Sequence, residues 1–277
     1  MNTFSSIFLL TLGTGLLLQM WLAARQAAHI IAHADQVPAA FSDRITLQQH
    51  RKAASYSLAR LGIDRWELAL GAVVLLGWTF AGGLDWLDRL VASTALPPVW
   101  EGVLLIVVVM LVGGLIELPL SIWRTFGVEA RYGFNHNTPA GFIKDKLLGI
   151  LVTLVLGVPL IAVILWLMAA AGEYWWLWAW LVWMGFSLAV TWAYPIWIAP
   201  LFNRFEPLRD DSLRQRLEML LQRCGFKSKG MFIMDGSRRS AHGNAYFTGF
   251  GANKRIVFFD TLLDGLDTDE VEAVLAH

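Results

Sequence analysis

Residues Asp269-Glu270-Val271-Glu272-Ala273-Val274-Leu275-Ala276-His277 read as an amphipathic helix with an acidic first turn that arrives at a histidine. Two histidines at i and i+4 lie on one helix face. In a His-Glu-x-x-His helix that pair holds Zn²⁺ while the intervening glutamate activates the metal-bound water. His277 stands where the first of those three residues would be. The pattern therefore predicts a metal ligand at His277, with a glutamate and a second histidine to follow it. An ordinary solvated histidine at a helix end has the same local appearance.

The other candidate ligands are weaker. His29 and His33 also stand at i and i+4, but no acidic or cysteine partner accompanies them at a fixed spacing, so a solvated helix is the better reading. His50 and His136 lack any such spacing, and the pattern assigns His242 no role. The single cysteine, Cys224, excludes an internal disulfide framework and fits a soluble part in a reducing compartment, where an ordinary thiol is expected.

The elements that must position His277 begin in a membrane. Of 277 residues 56% are hydrophobic and 16% charged, with 14 tryptophans, and the mean hydropathy is +0.53. That composition predicts a polytopic α-helical membrane protein. Zero net charge argues against nucleic acid as a partner. Counted against the roughly 20 apolar residues that cross a bilayer, five spans are expected: Ser5 to Ala24, Leu68 to Leu84, Gly102 to Trp123, Leu147 to Gly172 and Tyr174 to Phe202. Pro159, Pro195 and Pro200 predict kinks or early ends. Glu117 is an ionisable residue in an apolar run, facing a watery chamber or lying at the interface near Arg124.

Basic residues set the expected direction. Arg25, Arg44, Arg51, Lys52, Arg60 and Arg65 fall between the first and second spans, and Arg124, Arg131, Lys144 and Lys146 follow the third. The opposite connections hold Arg89 or no basic residue. The N-terminus is therefore expected outside and the segment after the fifth span in the cytoplasm. The first span lacks a basic n-region and reads as a retained anchor.

From Asn203 the composition becomes that of a soluble segment, so the expected division is a membrane domain over 1–202 and a second domain over 203–277. Leu213, Leu217, Leu220 and Leu221 predict an amphipathic helix ending at Gly225. Strands are expected over Gly230 to Asp235, Asn244 to Phe250 and Arg255 to Phe259, the last two as a hairpin turning through Gly249, Gly251 and Asn253. Asp267 or Thr268 can cap the final helix. Helix, three strands, helix is the order that leads to the zinc helix of zincin-type proteases, and it also fits many α+β domains.

Four separated motifs then add up to a resemblance. The run Asp235-Gly236-Ser237-Arg238-Arg239-Ser240-Ala241-His242-Gly243-Asn244-Ala245-Tyr246-Phe247-Thr248-Gly249-Phe250 resembles the type I CAAX prenyl protease family of integral-membrane zinc metalloproteases. So do Lys254 to Leu263, the helix Glu270 to His277, and Pro200-Leu201-Phe202-Asn203. Upstream, Leu118-Pro119, Thr125-Phe126, Glu129, Gly133-Phe134-Asn135, Thr138 and Asp145-Lys146 are similar to that family's membrane region. A heat-shock-type relative with fewer preceding spans fits the N-terminal half less well.

The resemblance implies a zincin-like cytoplasmic segment, Zn as cofactor with His277 as first ligand, and cleavage near the C-terminus of lipidated or membrane-associated polypeptides at the lipid bilayer. The family's general base and remaining ligands would lie past His277. A catalytic zinc takes three protein ligands plus water, so these 277 residues alone are expected to be an inactive fragment. Asn244 to Phe247 resembles the edge strand that pairs with extended substrate, which makes Asn244, Ala245 and Tyr246 the candidate substrate-binding residues; a purely structural hairpin is the alternative. The segment Gly133 to Thr138 is expected to be structural. Arg238, Arg239, Lys254 and Arg255 read as a solvated or headgroup-facing surface rather than a substrate clamp. The competing function is a non-catalytic membrane scaffold or peptide-binding protein; a channel or transporter has only Glu117 and the prolines in its favour.

Overall fold

The apolar runs set into helices longer than the runs themselves. The computed structural model describes residues 2–226, 228–249 and 254–276, in two units, Met1–Tyr132 and Gly133–His277. The first unit contains α1 (Thr3–His33), α2 (Leu47–Thr79), α3 (Gly83–Ala92) and α4 (Pro98–Ile122). Wide π-type turns over Trp123–Glu129 carry α4 into the short α5 (Ala130–Tyr132). The second unit begins with α6 (Pro139–Ala170) and α7 (Trp175–Ala193), then a π-type stretch over Tyr194–Ile198 and the short α8 (Ala199–Phe202).

Among the described residues, four helical stretches are long and apolar enough to cross a membrane, or five if the bent pair α2 and α3 counts as one span. Large apolar side chains along them, such as Leu10, Leu115 and Val155, are exposed. Lipid tails are as apolar as leucine, so such faces need no protein cover. The span expected from Leu68 to Leu84 falls on this bent pair. The helices meet at 54°, and the break falls at Gly82, whose φ of +78° is left-handed backbone that glycine adopts without a Cβ clash. Within this unit Arg124 donates to Asp64 and Glu67, each at 2.7 Å. Glu117 is exposed on α4.

The rest of the second unit is a small α+β layer: β1 (Phe205–Pro207), α9 (Asp211–Arg223), β2 (Met231–Met234), β3 (Ala245–Thr248), β4 (Arg255–Phe259), α10 (Asp260–Gly265) and α11 (Thr268–Ala276). The sheet order is β1-β2-β4-β3, with β2 and β4 parallel and both outer strands antiparallel to their neighbours. The β3–β4 pairing is the hairpin expected from the sequence; part of its turn, including Gly251 and Asn253, lies outside the described residues. β1, α10 and the parallel pairing carry no clear periodic signal and were not expected.

α9 and α11 cover one face of this sheet. Leu213, Leu217 and Leu221 of α9 and Val271 and Leu275 of α11 join Met231, Ile256 and Phe258 in one buried cluster. α9 starts on an Asp210 cap and ends in a Schellman turn: Phe226 N–H reaches Leu221 O, Gly225 N–H reaches Gln222 O, and Gly225 takes φ +64°. Arg216 of α9 binds Asp269 and Glu272 of α11 at 2.7 and 2.6 Å. Asp267 accepts from Glu270 N–H while the Glu270 carboxylate accepts from Asp267 N–H, a reciprocal cap. Replacing Asp267 by alanine is expected to destabilise the segment by about 1 kcal/mol, seen as increased amide exchange in the first turn of α11.

Candidate functional site

A sheet edge presents a row of backbone groups that no further strand pairs, and β3 is one edge of this sheet among the described residues. Antiparallel partners alternate between hydrogen-bonded and open pairs. Phe259 N–H donates to Asn244 O at 2.9 Å, and the register pairs Ala245 with Phe258 and Tyr246 with Val257. Asn244, Tyr246 and Thr248 therefore turn their backbone groups toward β4, and Ala245 and Phe247 turn theirs to the open side. The outward Ala245 N–H is held by the Asn244 side-chain oxygen at 2.8 Å. The Tyr246 hydroxyl is half-buried, points at the Met234 sulfur at 3.8 Å, and is pushed up to about 12 by burial, with Tyr194 adding to the shift.

The loop between β2 and β3 is tied down along its length. At its start the Asp260 carboxylate accepts from Ser237 N–H at 2.8 Å, from the Ser237 hydroxyl, and from Thr261 N–H. Burial pushes the Asp260 carboxyl up, but these hydrogen bonds outweigh it and hold the group below the usual carboxylate range. A folded-state value below the unfolded one means a stabilising contribution present above about pH 4 and lost as pH falls through the lowered value. Asp260→Asn is expected to flatten the acid limb of the stability curve, read from melts between neutral pH and pH 3.

In its middle the loop bridges to the segment before α6. His136 N–H donates to Arg239 O and Ala241 N–H to Phe134 O, both at 3.0 Å, and Asn135 bridges Ser240. The His136 ring meets Ser237 O at 2.9 Å, and Thr138 caps α6 through Gly141 N–H. The His242 ring stacks on Phe134 at 4.2 Å, while its carbonyl accepts from Thr261. Gly243 passes close to α10: a Cβ there would lie 3.2 Å from the Leu262 backbone.

Arg239 corrects the expectation of a solvated face. Its guanidinium grips both oxygens of Asp145 on α6, donates to the Asn203 side chain, and reaches Phe202 O, the last carbonyl of α8, at 2.6 Å. Its side chain is 24% exposed and that of Asp145 27%. Arg238 also donates to Phe202 O. Arg255 lies over Phe232 and donates to Pro195 O at 3.1 Å, and Lys254 lies over Phe226. The Pro195 carbonyl has no donor from its own helix, for a physical reason. In the π-type stretch Ala199 N–H bonds Tyr194 O, so the next donor in line for Pro195 O is Pro200, which has no N–H.

His277, the expected metal ligand, lies outside the described residues, as does Phe250. α11 leads directly to it. Among the described residues no group of three or more His, Cys, Asp or Glu is close enough to hold a metal. The His29 and His33 rings lie 4.1 Å apart and tilted by 34°, with His33 Nδ1 engaged on His29 O.

Residues 26–204 match the family model described as CAAX prenyl protease N-terminal, five membrane helices, and residues 207–277 match peptidase family M48. The chain belongs to the CAAX prenyl protease family. This is a family of membrane metalloproteases. CAAX prenyl protease 1 homologs are 33% identical over 253 residues in Mus musculus, covering 89% of this chain and 53% of that one, and 43% identical over 162 residues in Arabidopsis thaliana, covering 58% and 38%. The crystal structure of S. mikatae Ste24p matches at a TM-score of 0.91 and 26% identity, over 100% of this chain and 66% of that one. The matched region amounts to about half or less of these curated relatives' length. The polytopic CAAX prenyl protease fold expected from the sequence is thereby confirmed.

The Arg239–Asp145–Asn203 cluster was missed as a unit, although each of its parts sits in a motif that the resemblance had flagged. Sequence separation hides the contact, since Arg239 and Asp145 lie 94 positions apart.

Proposed function

We propose that this chain is the membrane region and the leading half of the peptidase domain of a zinc endopeptidase that cleaves near the C-terminus of lipidated or membrane-associated polypeptides. The observation that carries this is a sheet edge, β3, with outward backbone groups at Ala245 and Phe247, in a chain matched to this family from residue 26 to its last. Such an edge binds extended peptide by strand addition, nearly independently of sequence, while alternate side chains set preference. On this reading Asn244, Ala245 and Tyr246 contact substrate, and His277 is one zinc ligand. The general base and other ligands are supplied by sequence after it, and a polypeptide limited to these 277 residues does not hydrolyse peptides. Residues 1–202 act as the membrane domain and 203–277 as peptidase, with the N-terminus outside and the peptidase in the cytoplasm.

Two measurements test this. The complete gene product, reconstituted in vesicles, is expected to release the C-terminal residues of a prenylated peptide in a chelator-sensitive way. Absence of cleavage, with intact binding of the same peptide, would instead support the scaffold or peptide-binding reading. Protease added to sealed vesicles is expected to spare residues 203–277 when the cytoplasmic side faces inward; cleavage there would reverse the orientation.

A further inference from the structure

We infer that Arg239 is a positioning residue for the substrate-pairing edge: it fixes the β2–β3 loop, and through it β3, to the membrane helices α6 and α8. The inference rests on the reading of β3 as the peptide-binding edge. β3 begins six residues after Arg239, and the intervening residues have little freedom. Ala241 is bonded to Phe134, His242 is stacked on Phe134 and accepts from Thr261, Gly243 runs against α10, and Asn244 is already paired with Phe259. Displacement of Arg239 is thus transmitted to the start of β3 rather than absorbed by slack.

The form of the contact explains why arginine serves here. Nε and Nη2 make a two-pronged grip on Asp145, Nη2 also meets Phe202 O, and Nη1 meets Asn203. Three partners lie around one planar fork. A lysine ammonium keeps the charge but is a point donor that cannot reach all three in that geometry. The Phe202 carbonyl is a helix-end acceptor that needs a donor from outside its own helix, and Asn203 is the first residue beyond it. One guanidinium therefore ties together α6, the end of the fifth expected span, and the loop that leads to the edge strand.

The experiment uses the complete gene product with Arg239→Lys, Arg239→Ala, Asp145→Asn and the Arg239→Ala/Asp145→Asn double variant. The first readout is amide exchange by mass spectrometry over residues 240–249, compared with 231–234. It needs neither metal nor turnover. Arg239→Lys is expected to speed exchange in 240–249 at least fivefold while 231–234 stays as in wild type. Peptide KM is expected to rise about tenfold with a smaller change in kcat, and the double variant to behave like Arg239→Ala alone. Should Arg239→Ala fail to fold, Arg239→Lys and Asp145→Asn decide the matter. Wild-type exchange in 240–249 for Arg239→Lys, or additive effects in the double variant, would overturn the inference. If instead wild type itself shows no peptide cleavage or binding while Arg239→Lys still loosens 240–249, it is the function of the edge that fails and not the tether.

Discussion

Phe258→Ala is expected to unfold the α+β layer of the second unit under conditions in which the apolar helices remain intact. Phe258 is fully buried on β4, the strand flanked by β2 on one side and β3 on the other. On its face it meets the leucines of α9 and Val271 and Leu275 of α11, while Val257 is buried on the opposite face. Truncating such a phenylalanine typically costs about 3–5 kcal/mol. A small domain holds only about 5–15 kcal/mol in total, so the loss is a large share. α11 docks through Val271 and Leu275 onto this cluster, and it is the helix that leads to His277. The measurement is limited proteolysis in detergent combined with amide exchange: residues 205–276 should become cleavable with the spans still protected. A destabilisation below about 1 kcal/mol would show that the cluster is not what docks α11.

The second large effect is expected at the outward face of β3. Ala245→Pro removes one N–H, and the β3–β4 register directs that N–H away from β4. The ladder bonds made by Asn244 and Tyr246 survive. Proline is tolerated on edge strands for this reason, and the extended backbone of a strand start suits the residue before it. Thermal stability should therefore change little, while affinity for extended peptide falls about tenfold, the equivalent of about 1.4 kcal/mol. Tyr246→Pro is the control: its N–H faces β4, so it should disrupt the hairpin itself. Wild-type peptide binding by Ala245→Pro would leave β3 as a structural hairpin and nothing more.

What the sequence allowed and what it hid divide along sequence distance. Local signals were legible. The apolar runs gave the spans, the leucines at helical spacing and Gly225 gave α9 and its end, and Asp267, one of two capping candidates with Thr268, caps α11. The β3–β4 hairpin followed from two short β-rich runs around glycines. Contacts between distant segments were not legible. β1 is three residues long and ends in proline, so no alternation marks it, and its strand character comes from pairing with β2. The bend at Gly82 interrupts an apolar run that reads as one span. Arg239 and Arg255 looked like surface charge because their acceptors, Asp145 and the Pro195 carbonyl, lie far back in the chain. A wide helical turn followed by Pro200 leaves a carbonyl open, and that condition can be recognised only once the π-type turn is seen.

On the proposed reading, the β3 edge takes up peptide, the clamped β2–β3 loop holds that edge to α6 and α8, and α11 leads to His277. The most direct test is zinc content and peptide hydrolysis of the complete gene product, wild type against His277→Ala. Wild type is expected to hold about one zinc per chain and to cleave in a chelator-sensitive way, with both lost in the variant while the β3 segment keeps its amide protection. Wild-type cleavage by His277→Ala would contradict it.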